Sequence, residues 1–165
     1  MISSIIIQFD RQPHEFQPLE TITGTFRLVD VDLEEVSQIE FSTLWFTEGK
    51  GDEDLGIVFF TELDRMNGLL RKMPERAVNE EDAAGRMTVQ AQPEGNYVLP
   101  NQEEADGRSF RFSVKLPASP LSYLGKILKI HWCVRVRLFR KNGREVKSER
   151  MFQVGKVPQV QVDLN

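Results

Sequence analysis

Cysteine is almost absent. Cys133 is the only one among 165 residues, so no intrachain disulfide can form and a disulfide-framed secreted scaffold is excluded. Histidine occurs twice, at His14 and His131, on different expected elements and without carboxylates or cysteines at metal-ligand spacing, so no zinc site is expected. Long hydrophobic runs are missing too. Ile5 to Ile7 is the longest early one, it has no basic region before it, and Gln8 and Asp10 follow closely. Neither a signal peptide nor a membrane span is expected, and the cytoplasm is the expected compartment. Neither sign of charge dominates. Twenty-five acidic residues against 21 basic give a formal charge of −4, which offers no global case for nucleic acid or an anionic membrane. Gly49 and Gly51 form neither a Walker nor a dinucleotide fingerprint, so no nucleotide or other cofactor is expected.

What is present is alternation. Phe110, Phe112, Val114 and Leu116 fall on one face of a first run, and Ile130, Trp132, Val134, Val136 and Leu138 on one face of a second. A period of two is that of half-buried strands, so the chain reads as all-β. Ile2 to Phe9 and Thr21 to Val29 add two more strands. Val36 to Phe46 and Leu55 to Thr61 form a hairpin across the acidic tip 47–54. With 40% apolar residues, 1–165 is expected to be one domain with its own core.

Two segments complete the organisation. Residues 62–107 are polar and rich in proline and carboxylates, and are expected to be a long connection lying mostly outside the core. Within it, Met66, Leu69, Leu70 and Met73 fit the i, i+3, i+4, i+7 template of one short amphipathic helix ended by Pro74, and 87–91 and 97–99 fit short strands. The last hairpin can be registered by its faces. A two-residue turn at Asn142-Gly143 would set Val136 against Glu149, whereas a three-residue loop, Lys141 to Gly143 with Gly143 left-handed, pairs Leu138 with Val146, Val136 with Ser148 and Trp132 with Phe152. That register sets Arg150 among the inward positions.

The segment Phe16-Gln-Pro-Leu-Glu-Thr-Ile-Thr-Gly-Thr-Phe26 resembles the "pro-gly-glu, hydrophobic, gly" opening of the second strand in arrestin-like domains, with Leu19 where glycine is usual. Phe110-Arg-Phe-Ser-Val-Lys-Leu-Pro117, Ser119-Pro-Leu-Ser-Tyr123 and Ile130-His-Trp-Cys-Val134 resemble that family's "phe-x-phe, leu-pro, pro-x-ser-phe/tyr, strand" block in order and spacing. The acidic loop and the helix candidate also lie where arrestin N-terminal domains carry an acidic hairpin and a short helix. The resemblance implies an antiparallel, immunoglobulin-like β-sandwich of the single-domain bacterial type that works as an adaptor. Receptor arrestins read phosphate with paired lysines in their first strand. Ile5-Ile6-Ile7 stand there in this chain, so phosphate reading is not implied.

The functional expectation is a non-catalytic protein-interaction or scaffold module, acting in trafficking or regulation, with homo-oligomers through sheet edges as a further mode. Arg135, Arg137, Arg140, Lys141, Arg144 and Lys147 are the candidate partner-binding residues on the last hairpin. Alternate charges on a strand also make ordinary cross-strand pairs such as Arg135 with Glu149. Aromatic residues do not interleave on that face, so no nucleic acid is expected. The alternative is a Ca²⁺-dependent lipid- or glycan-binding sandwich using Asp52, Glu53 and Asp54, although their spacing is not that of an EF-hand. No enzyme is expected. His131 and Cys133 share a strand face about 7 Å apart, too far for the hydrogen bond of a Cys-His pair.

Overall fold

The computed structural model describes residues 2–66, 69–72, 88–89, 95–104 and 106–156. The strands are β1 (Ser4–Phe9), β2 (Glu15–Phe16), β3 (Thr21–Val29), β4 (Val36–Gly49), β5 (Leu55–Met66), β6 (Leu69–Lys72), β7 (Thr88–Val89), β8 (Tyr97–Pro100), β9 (Ser109–Lys115), β10 (Tyr123–Leu124), β11 (Leu128–Arg140) and β12 (Glu145–Val154). A 3-10 turn, Leu33–Glu35, precedes β4. One sheet has the order β1-β3-β9-β8. The other runs β2-β12-β11-β4-β5-β6, with β10 added to β11 and β7 to β5. Among the described residues the pairings are antiparallel except β2 with β12 and β5 with β7, which are parallel.

The inward faces are those that alternation picks out. Ile22, Phe26 and Leu28 of β3, Phe110, Phe112 and Val114 of β9, Ile39 and Phe41 of β4, and Trp132, Val134, Val136 and Leu138 of β11 are all buried between the two sheets. Phe26 stacks on Phe110 with ring centroids 4.9 Å apart and on Phe41 at 5.9 Å, so an aromatic seam crosses from one sheet to the other. Such pairs add about 0.5–1.5 kcal/mol each beyond the area they bury.

The β11–β12 hairpin has the three-residue loop and the register expected, with Leu138 opposite Val146, Val136 opposite Ser148 and Trp132 opposite Phe152. Gly143 takes φ +85°, the left-handed conformation that closes such a loop. Arg150 lies opposite Val134 at an inward position, yet it is exposed. Cover over this face of β12 is complete only at Phe152 and Val154. Leu19 stands where the arrestin-like pattern has glycine, and its backbone adopts φ +68° after Pro18. The turn geometry is kept although the residue that favours it is absent.

One expectation is overturned. The spacing of Met66, Leu69, Leu70 and Met73 predicts a helix, but Met66 ends β5, and Leu69 and Leu70 open β6 in an antiparallel pairing with Met66 opposite Leu69 and Arg65 opposite Leu70. Met73 lies outside the described residues. Between the paired Met66 and Leu69 stand Asn67-Gly68, the dipeptide most favoured in two-residue hairpin connections. β5 is already hydrogen-bonded along β4 as far as Asp64, so continuing as a strand keeps its backbone satisfied without a new nucleus. The span 62–107 therefore holds the end of β5, with Leu63 buried, together with β6, β7 and β8.

Candidate interaction surface

The outer face of the larger sheet carries the charged hairpin. Arg135 Nε donates to Glu149 Oε1 at 2.9 Å, and Lys147 Nζ lies 3.5 Å from the same oxygen. Arg137 meets Glu145 with both ends of its fork, at 2.7 and 3.1 Å, reaches Glu40 Oε2 at 3.5 Å, and lies 5.0 Å over the Phe139 ring. The hydrogen bonds between them hold the Arg137 pKa above and the Glu145 pKa below their ordinary values. Burial pushes Glu40 the other way, above the usual carboxylate range, despite the nearby Arg137 charge. Arg140 bonds the Ser3 hydroxyl, while Lys141 and Arg144 are exposed at the tip. The six basic residues thus share one hairpin, but three of them form a ladder of alternating charge with Glu40, Glu145 and Glu149.

The acidic candidates Asp52, Glu53 and Asp54 are exposed at the β4–β5 tip. Thr47 clamps the base of this loop: its hydroxyl accepts from the Asp54 N–H at 2.8 Å, and its own N–H donates to the Asp54 carbonyl at 3.0 Å. Among the described residues no group of three or more His, Cys, Asp or Glu is placed to hold a metal ion. Glu48 turns instead to His131, Oε2 to Nε2 at 2.7 Å, and this hydrogen bond holds its pKa below the ordinary range. At the far end of the smaller sheet a polar depression of about 530 Å³ is occupied by its own ion pairs, with Arg27 bonded to Glu104 and, at 2.9 Å, to Asp106.

A cleft that the linear sequence does not reveal lies lower on the outer face. β12 pairs with β11 from Phe139 back to Trp132, whereas β10 takes over at Ile130 and Lys129, so the partner changes at His131. β12 turns away to bond β2 and Ser122: the Ser122 N–H donates to the Val154 carbonyl at 2.9 Å, and the Val154 N–H donates to the Ser122 hydroxyl at 2.8 Å. The split leaves a cleft of about 390 Å³ whose lining includes His14, Glu15, Leu124, His131, Met151 and Gln153. Both histidines of the chain thus meet one cavity. His14 packs edge-on against Phe9 at 4.8 Å, and its pKa is lowered first by burial and then by the charge of Arg150.

Cys133 sits on the same outer face, buried with Leu44 and Ile57 and flanked by Phe46, Leu55 and Phe60. This burial pushes its thiol up to about 12. His131, two residues along, is engaged by Glu48 and Phe46 and supplies no base to the thiol. We expect Cys133 in the native protein to resist a thiol reagent at pH 8 and to react fully on unfolding in urea. Fast native labelling would contradict this burial. Because the thiol ionises more readily in the unfolded chain than in the folded one, stability attributable to it is intact below about pH 9 and falls as pH rises further. Urea titrations at pH 8 and pH 10, compared with Cys133→Ala, measure that slope.

No family model matches the sequence, and no curated protein matches it. Among solved structures, that of Spo0M, a sporulation control protein from Bacillus subtilis, is similar, with a TM-score of 0.52 at 12% identity. The fold is arrestin-like. The match covers 93% of this chain and 49% of Spo0M, so the arrestin-like sandwich described here spans about half the length of that protein. No helix among the described residues is long and apolar enough to cross a membrane.

Proposed function

We propose that the chain is a non-catalytic adaptor module of the cytoplasm that binds another protein through the outer face of its larger sheet. The observation behind this reading is the cleft at the β10–β11–β12 split, beside which the charged ladder runs on. Leu124 and Met151 are the exposed large hydrophobic residues of its apolar lining, beside Pro13, Ile130 and Phe152, and Met adapts to side chains of varied shape. Glu15, Gln153 and the two histidines give it a polar rim. Along β12 the outward row Met151, Glu149, Lys147 leads from the cleft into the ladder. The occupant that fits is an extended segment of a partner protein with one apolar anchor and polar flanks of both signs. The arrestin-like fold agrees with a binding role by analogy.

Affinity capture from cytosol would supply a partner, which is then purified and titrated against three forms of the protein. Met151→Glu is expected to weaken the binary complex at least tenfold, because it puts a carboxylate where the anchor must be desolvated. Arg135→Glu/Arg137→Glu is expected to weaken it less and to alter its salt dependence. A purified partner bound equally well by the folded Met151→Glu variant would overturn the assignment of the cleft.

A further inference from the structure

The end of the sandwich where β4, β5, β10 and β11 turn carries a second exposed feature. Leu121, Tyr123, Leu124, Ile127 and Leu128 are five of the eleven large apolar side chains exposed in the described chain, and they occur within eight consecutive residues. Their exposures run from 41% to 75%, the highest belonging to Ile127 at the apex. Exposed apolar residues scattered singly need no explanation, but five of them within eight residues at one hairpin do.

The hairpin that presents them is closed and braced. Tyr123 and Leu124 pair with Ile130 and Lys129, and the Gly125 N–H donates to the Leu128 carbonyl at 2.9 Å. Leu128 lies opposite Gly49 on the last rung between β11 and β4, so the apex projects past the end of the sheet. A Cβ at Gly49 would overlap the Ile127 carbonyl oxygen, which shows how closely this hairpin rests on the acidic tip beside it.

Composition separates two classes of partner. Protein interfaces are depleted in lysine and seat aromatic, Met and Arg anchors in pockets. This apex extends past the last rung of the sheet and is mainly aliphatic, and within 121–129 its only charged residues are the exposed Lys126 and Lys129. Long lysine stems can lie along apolar surface while their ammonium groups reach phosphate, and tyrosine favours the headgroup level. We propose that the 121–129 hairpin inserts its apex shallowly and reversibly into the interfacial layer of a lipid bilayer.

The neighbouring tip sets the character of that contact. Glu48, Asp52, Glu53 and Asp54 stand near Lys50, Lys126 and Lys129, so this end has no excess positive charge to draw it to anionic lipid. Apolar insertion must supply the attraction, and salt should change it little. Held beside the cleft through Leu124, the apex would place an adaptor's partner-binding face close to a membrane.

The purified protein would be floated with phosphatidylcholine vesicles and with vesicles containing phosphatidylserine, at low and high salt. The expected result is flotation with both compositions, weakly affected by salt, and a partition coefficient reduced at least tenfold in Ile127→Asp/Leu128→Asp. As a second readout, fluorescence of an Ile127→Trp variant should shift to the blue on adding vesicles. Both changes are at exposed positions, and urea titration checks that each variant is folded. No flotation, flotation unaltered by the double substitution, or binding confined to anionic vesicles and abolished by salt would overturn the proposal. Loss of a protein partner in the double variant, without any vesicle binding by the wild type, would assign the apex to protein contact instead.

Discussion

Replacing Trp132 by alanine is expected to lower the unfolding free energy by about 3–5 kcal/mol, a loss comparable to the whole stability of a marginal domain. Trp132 is fully buried, packs on Phe152 with ring centroids 5.8 Å apart, and lies opposite Trp45 in the next strand. Truncation opens a cavity where several strands contribute side chains and the surrounding backbone is held by ladders on both sides. A second cost accompanies it. The indole Nε1–H donates to the Pro120 carbonyl at 3.0 Å, and removing the donor leaves that acceptor without its partner. Trp132→Phe separates the two effects: it retains most of the ring and loses the hydrogen bond, for an expected cost of about 1–3 kcal/mol. Urea denaturation with an unchanged m-value measures both, and an alanine variant within about 1 kcal/mol of wild type would refute the packing account. Pro120 leads directly into the 121–129 hairpin. Hydrogen exchange at the Gly125 amide should therefore quicken in Trp132→Phe, whereas exchange at the centre of the β4–β11 ladder should change less.

The same residue shows which parts of the fold could be read from sequence. Trp132, Val134, Val136 and Leu138 form a strict period-two row, and only one loop length brings a matching row from the next strand opposite it. Register, turn type and the Arg135–Glu149 pair all follow from that local information, and the pair is observed at 2.9 Å. The helix expected at Met66, Leu69 and Leu70 failed because a tight hairpin imitates helical spacing. Met66 and Leu69, three apart in sequence, pair as strand neighbours. Asn67-Gly68 was the signal that could have decided between the two. The site was less legible for a different reason. The cleft exists because Ser122 captures the end of β12 through two hydrogen bonds spanning 32 positions, and nothing in the local sequence marks a loop serine for that role. Glu40 likewise joins the charge ladder from a strand far away in sequence, so the last hairpin read as more basic than its surroundings make it.

Gly24→Ala is expected to destabilise the protein by about 1–3 kcal/mol, although alanine ordinarily has the entropic advantage over glycine within a strand. The reversal comes from where this glycine stands. It is an inward position of β3, with Phe9 of β1 opposite it on one side and Phe112 of β9 on the other. A Cβ there would overlap the Gln8 carbonyl oxygen and come within 2.6 Å of Phe112 Cζ. The Phe112 ring occupies the space that the missing side chain leaves, and from there it reaches Phe41 at 5.0 Å and Phe9 at 6.3 Å. Phe112→Leu in the Gly24→Ala background should recover part of the loss, because it relieves the ring contact. Recovery should stay incomplete, because the Gln8 carbonyl belongs to the ladder and cannot withdraw without breaking it. A double-mutant cycle in urea gives the coupling, and its absence, or a Gly24→Ala variant as stable as wild type, would contradict the close approach. Phe9 also carries the edge contact to His14 at the rim of the cleft. If displaced Phe112 pushes Phe9, Gly24→Ala should weaken partner binding at temperatures where the variant remains folded, linking a core glycine to the proposed recognition surface through two rings.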